Sequence, residues 1–109
     1  MKPLTFLGDS RERLRAFPDA AREATGRQLL RVHLGGDPLD WKPLAAVGPG
    51  VREVRVRTEA GAFRTVYLAA LVDRVLVLHA FRKKTRATPK RDIELAAKRL
   101  REWRAGHGG

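Results

Sequence analysis

The sequence has no cysteine, no long apolar run and too few acidic residues to balance its basic ones. Without cysteine there is no disulfide framework, no thiol nucleophile and no cysteine-type zinc site. That absence fits a reducing compartment. No segment approaches the roughly 20 apolar residues needed to cross a bilayer. The first residues, Met1 to Asp9, lack the apolar stretch of a secretory signal. A soluble cytoplasmic protein without a membrane partner is expected. His33, His79 and His107 are far apart and have no carboxylate company, so no metal site is expected, nor any cofactor. There is no Walker-type phosphate loop and no serine-histidine-aspartate grouping, and Gly48-Pro49-Gly50 is too short to cradle a phosphate.

What is present is a chain of 109 residues, 43% hydrophobic, with a formal charge of +11 and a pI near 11.4. The length suits one domain spanning residues 1–109 with its own core. Such a charge predicts attraction to polyanions, of which nucleic acid is the commonest. A nucleic-acid enzyme, a passive nucleic-acid binder and a basic module for an acidic protein all fit. The excess is concentrated late: from Ala80 to Arg104 ten basic residues stand against three acidic ones.

Pro3 to Leu7 reads as a short edge strand, since proline is tolerated at strand starts and edges. Asp9 or Ser10 caps a short helix carrying Leu14 and Phe17. After Pro18, a second helix runs from Asp19 to about Leu34, with Phe17, Ala20, Ala21, Ala24 and Val32 on one face. Gly35-Gly36 ends it. Asp37 to Gly50, rich in proline and glycine, reads as a loop pinned by Trp41, Leu44 and Val47. Three strands follow. Val51 to Thr58 alternates, Glu59 to Ala62 turns, and Phe63 to Leu71 returns. Val75 to Arg82 is apolar on both faces, as a covered central strand should be. Thr88 as N-cap and Pro89 at the first helical position begin a last helix built on Ile93, Ala96, Ala97, Leu100 and Trp103. Residues 104–109 read as a disordered tail. The class is α+β: two N-terminal helices on a small antiparallel sheet, mainly a three-stranded meander, with a C-terminal helix.

The chemistry-bearing residues form a basic constellation on that sheet. Arg55 and Arg57 lie on the first strand of the meander, Arg64 and Tyr67 on the second, and Arg82, Lys83, Lys84, Thr85 and Arg86 at the end of the third. If the register brings them to one face, they suit a phosphodiester, because arginine forks grip phosphate oxygens and clustered cations stabilise charge on a scissile phosphate. A slip of one residue sends alternate side chains to the opposite face. RNA carries its own 2′-hydroxyl nucleophile, so cleavage needs only a base, an acid and charge stabilisation. A cation-rich cleft also shifts the pKa of lysine or tyrosine. Plainer readings stand beside these. Arg55 and Arg57 also fit a solvated strand face, Glu53 an ion pair, and Tyr67 a core aromatic. His79 also fits a buried hydrogen-bonded histidine, and Arg82 to Arg86 a solvated strand exit.

Four segments occur in order: Trp41-Lys42-Pro43-Leu44, Val51-Arg52-Glu53-Val54-Arg55-Val56, Phe63-Arg64-Thr65-Val66-Tyr67, and Leu78 through Phe81-Arg82-Lys83-Lys84-Thr85 to Pro89. Together they resemble the RelE/ParE toxin superfamily, most closely its HigB-like, phage-derived branch, over about Phe6 to Leu100. The resemblance implies a microbial-ribonuclease-like fold and a toxin that cuts mRNA in the ribosomal A site. It also implies neutralisation by a cognate antitoxin, on family analogy a helix-turn-helix protein. By the same resemblance Arg64 is the phosphate-stabilising arginine, and Arg55, Arg82, Lys83 and Lys84 complete the basic cleft. Tyr67, Lys42 and His79 are further transfers, and Arg57 and Arg86 extend the RNA-binding surface. Where the RelE pattern carries a lysine this chain has Glu53, which HigB-like relatives often match with an acidic residue, as base or as arginine organiser. The RelE pattern's late tyrosine has no counterpart, since Tyr67 is the only tyrosine. Two rival functions share the scaffold: a ParE-like inhibitor of DNA gyrase, and a non-enzymatic basic protein whose partner is its antitoxin.

Overall fold

Alternation in the middle of the chain builds a sheet with two different faces. The computed structural model describes residues 1–107. Its elements are β1 (Leu4–Phe6), α1 (Ser10–Arg15), α2 (Asp19–His33), β2 (Trp41–Pro43), β3 (Val51–Thr58), β4 (Gly61–Leu68), β5 (Val75–Lys83) and α3 (Lys90–Gly106). The α+β class expected from the sequence is what forms. The sheet has five strands in the order β1-β5-β4-β3-β2, all neighbours antiparallel except β1, which lies parallel to β5.

Odd and even positions of β3 and β4 separate into two cores. On one face Val54, Val56, Phe63, Tyr67 and Val75 pack with Phe17, Ala21 and Val32 of the N-terminal helical segment. On the other, Val51, Val66, Leu68, Leu76 and Leu78 pack with Ala96 and Leu100 of α3, with Ile93, Ala97 and Trp103 at its margin. β5 contributes to both, so its doubly apolar pattern is that of a strand covered on each side.

The structure departs from the sequence reading in several places. Trp41–Pro43, inside the expected loop, forms a fifth strand paired to Arg52–Val54. The Arg52 guanidinium sits 3.8 Å from the centre of the Trp41 ring, and the Arg55 N–H donates to the Asp40 carbonyl. The hairpin turn is shorter than expected, because Thr58 already pairs with Gly61. Gly61 has a φ of 131°, and a Cβ there would stand 3.0 Å from an Arg82 nitrogen, so glycine suits this junction. β4 stops at Leu68, before the expected Leu71, and β5 runs one residue farther, to Lys83. On α2 the buried stripe is Ala21, Thr25, Leu29 and Val32, with Ala20 exposed. Thr88 does not cap α3: no side-chain cap is made, Pro89 holds the cap position, and the Thr88 hydroxyl is engaged elsewhere. The expected tail is helical through Gly106, and the His107 ring stacks on Trp103 at 4.1 Å. Residues 108–109 of that tail lie outside the described residues.

One irregularity matters for everything downstream. Val66 pairs with His79 but Tyr67 pairs with Val77, so β5 carries an extra residue at Leu78. Such a bulge reverses the parity of the strand beyond it. Leu76 and Leu78 face α3 before the bulge, and Phe81 does so after it.

Leu100 is 3% exposed at the centre of the α3 interface. Leu100→Ala is therefore expected to lower unfolding free energy by about 2–5 kcal/mol. Urea denaturation measures this; a loss of a few tenths would mean that α3 is not docked on the sheet.

Candidate functional site

The hairpin register places Arg55 opposite Arg64, Arg57 opposite Ala62 and Glu53 opposite Val66. Lys42 of β2 lies opposite Glu53, and Lys83 of β5 opposite Ala62. Paired residues share a face, so Lys42, Glu53, Arg55, Arg57, Arg64 and Lys83 all look toward the α3 side. α3 covers only the end of that face near Val51, Leu68 and Leu76. The end toward the hairpin turn is left open as a depression of about 550 Å³, lined by Arg55, Arg57, Ala62, Arg64 and Lys83 and walled by Lys84, Thr85 and Arg86.

A buried carboxylate organises its floor. Glu53 has no exposed surface. Its Oε2 accepts a 2.6 Å hydrogen bond from the Thr88 hydroxyl. Its Oε1 lies 3.4 Å from Arg64 Nε and 3.6 Å from Lys42 Nζ. Neither Oε1 nor Nε completes a hydrogen bond; these contacts are ion pairs. Arg64 is 9% exposed, and its Nη1 donates to the Phe63 carbonyl at 3.1 Å. Burial pushes the Arg64 guanidinium below its ordinary pKa, opposed by Glu53 and reinforced by Arg55. Arginine nonetheless stays protonated in proteins, so Arg64 is a fixed cation. Burial likewise lowers Lys83, helped by the positive charges of Arg64 and Lys42 and opposed by Glu53. Arg55 is steadied from the rim by Asp40, which accepts from its Nε at 2.9 Å. The arrangement offers one sequestered arginine, one lysine held below its ordinary range and several exposed cations, a set that can grip and polarise a phosphodiester.

Not every expected site residue joins it. Lys42, Glu53, Arg55, Arg57, Arg64, Lys83, Lys84 and Arg86 are brought together. Tyr67 is not: it points into the opposite core, fully buried. Its hydroxyl approaches the Arg52 guanidinium without completing a hydrogen bond, and burial raises its pKa. His79 is 1% exposed and cannot reach RNA. Its Nε2 lies 2.7 Å from Asp92 Oδ1, and its ring stacks on Phe81. Arg82, past the bulge, faces away from the cleft, where it donates to the Ala60 carbonyl and stands 5.7 Å from the Phe63 ring. Two contributors were missed. Thr88 carried a signal, a hydroxyl before proline, but one that reads as a helix cap. Asp40 carried none, sitting in a segment that reads as loop.

The family model described as phage-derived protein Gp49-like (DUF891) matches residues 12–101. The chain belongs to that family. The matched span runs from α1 to α3 and so contains the whole Gp49-like cleft. No curated protein matches the sequence. No described helix of this Gp49-like chain is long and apolar enough to cross a membrane.

The buried histidine makes stability depend on pH. Burial holds His79 below its ordinary value, more than Asp92 raises it. The unfolded chain takes up this proton near pH 6.5, while the folded chain does so only at lower pH. Below about 6.5 the unfolded state binds more protons, so stability falls on acidification through that window. Asp9, lowered to about 2, adds its own loss only below about pH 4. Urea midpoints between about pH 7.5 and 5 should therefore fall in the wild type and change less in His79→Asn. Equal slopes would remove His79 from this account.

Proposed function

We propose that this Gp49-like chain is the toxin of a type II toxin–antitoxin pair, related to the HigB-like branch of the RelE/ParE superfamily. On this reading it is a metal-independent endoribonuclease that cuts mRNA in the ribosome. The single observation that carries the reading is Arg64, buried at the floor of an open cleft rich in cations and held from beneath by Glu53. Family membership and the order of the sequence segments around that cleft support it.

The chemistry follows from the residues. The 2′-oxygen of a bound nucleotide attacks the adjacent phosphorus while the bond from phosphorus to the 5′-oxygen breaks. The 2′-hydroxyl proton must leave and the departing 5′-oxygen must gain one. Lys83, depressed by burial and by its cationic neighbours, is the group in the cleft best poised to exchange a proton nearer neutrality. Arg64 and Arg55 oppose the charge that builds on the non-bridging oxygens. Glu53 is engaged by Thr88, Lys42 and Arg64, so its role is to hold the arginine. Alignment of the message by the ribosome offsets the small catalytic set, since held geometry alone lowers a barrier by several kcal/mol. An acidic or amphipathic segment of the antitoxin, on family analogy a helix-turn-helix protein, is the natural neutraliser of such a surface.

Induction in a bacterial host with mapping of message ends tests the reading. Growth should stop and new ends appear within translated codons. Arg64→Ala should reduce cutting by about 10²-fold or more and restore growth; arrested growth with intact messages would contradict the proposal. A second check is spectroscopic. The Lys83 side chain should titrate below the other lysines by NMR, and Arg64→Gln should move it back up by removing a neighbouring charge. A Lys83 titration unmoved by that change would exclude it as the proton-transfer group.

A further inference from the structure

The cleft is not the only basic hollow. On the far side of the Lys84-Thr85 stretch lies a second one of about 380 Å³, beside the half of β5 that β1 leaves unpaired. Arg13 from α1, Arg82 from β5, Lys84 from the turn after β5, and Arg91 from the first turn of α3 surround it. Asp92 is the one carboxylate in its lining, and that group is taken by His79 at 2.7 Å. Arg91 only grazes Asp92, at 4.0 Å, and its side chain is 86% exposed. Lys84 makes no ion pair among the described residues. The hollow therefore concentrates four cations, from α1, β5, the turn after β5 and α3, around one buried and hydrogen-bonded acid. Lys84 and Thr85 line both depressions, so the two sites share a wall.

From this geometry we infer that the second hollow is a phosphate subsite for the same RNA strand whose scissile phosphate lies over Arg64. The strand passes across Lys84 and Thr85, and a neighbouring backbone phosphate is held by Arg13, Arg82, Lys84 and Arg91. The inference rests on the RNA-cleaving reading of the cleft and adds the path of the substrate. Continuity favours a ribonucleotide strand over an acidic protein: one polyanion with repeated phosphates satisfies two cationic hollows that share a wall. It also gives Arg82, turned away from the cleft by the bulge, a part in RNA binding.

The test is the advantage of a longer RNA. Affinities of the full chain for a single-stranded ribo-octamer and for a ribodinucleotide are compared by fluorescence anisotropy over a series of salt concentrations. The wild type should prefer the octamer. In Arg13→Gln/Arg91→Gln that preference should fall about tenfold, and the octamer's salt slope should drop by about 0.7 for each phosphate that is no longer neutralised. Arg13 is also bonded to Asp9 at 2.8 Å, so Arg91→Glu alone, at a side chain 86% exposed, should reproduce the direction. An octamer preference unchanged in both variants overturns the inference while Arg64→Ala still weakens the dinucleotide, leaving the cleft reading intact. Weaker binding of a poly-glutamate peptide by Arg91→Glu, with the RNA preference unchanged, overturns it in favour of an acidic protein partner. Failure of the wild type to bind either RNA overturns both.

Discussion

A carboxylate with no exposed surface, in the middle of a valine-rich strand, has to be compensated. Glu53 sits between Arg52 and Val54 of β3 with its side chain wholly removed from water. An ionised carboxylate in such a place costs several kcal/mol after relaxation, unless partners surround it. Its partners come from three different elements: Lys42 from β2, Arg64 from β4, and Thr88 from the turn into α3. Satisfying one acid therefore fixes three things at once. The short β2 strand is held at the sheet edge, the start of α3 is tied to the sheet, and Arg64 is presented at the cleft floor. Removing the acid would leave Arg64 buried without its counter-charge, which is more damaging than never having had the pair.

The second constraint is the parity of β5. Were the strand regular, Arg82 would share the face of Leu76 and Leu78, and Lys83 would look into the N-terminal helices. The extra residue at Leu78 exchanges them. Phe81 then closes the core over α3, Lys83 joins Arg64, and Arg82 goes to the far side. The same bulge brings the His79 ring within hydrogen-bonding distance of Asp92 on α3. One inserted residue thus decides which cations line the cleft and how the last helix is anchored.

These two features explain what was legible beforehand. The strands of the hairpin were readable because Val54 and Val56 alternate with Glu53, Arg55 and Arg57, and the last helix because Ile93, Ala96, Leu100 and Trp103 keep its period. The convergence of Arg55, Arg57 and Arg64 was readable only conditionally, since pairing register leaves no mark on composition. Tyr67, His79 and Arg82 looked like site residues by type and proximity in the chain; parity removed Tyr67 and Arg82, and burial under α3 removed His79. β2 escaped notice because three residues with a proline make no period, and its pairing depends on Trp41 stacking with a distant Arg52. Thr88 was legible as a helix-start residue, yet its hydroxyl serves Glu53, a residue 35 positions away in the chain. The proposed reaction rests on resemblance and not on pattern, because a cationic face alone does not distinguish binding RNA from cutting it.

In the proposed reaction a 2′-hydroxyl attacks its own phosphodiester over this cationic cleft, and the ends of a cut message would record that step. Purified protein added to a reconstituted translation reaction with a defined mRNA allows those ends to be read chemically. The account predicts upstream fragments ending in a 2′,3′-cyclic phosphate and downstream fragments beginning with a 5′-hydroxyl, both abolished by Arg64→Ala. Downstream fragments carrying a 5′-phosphate, or a message left whole while translation stops, would contradict it.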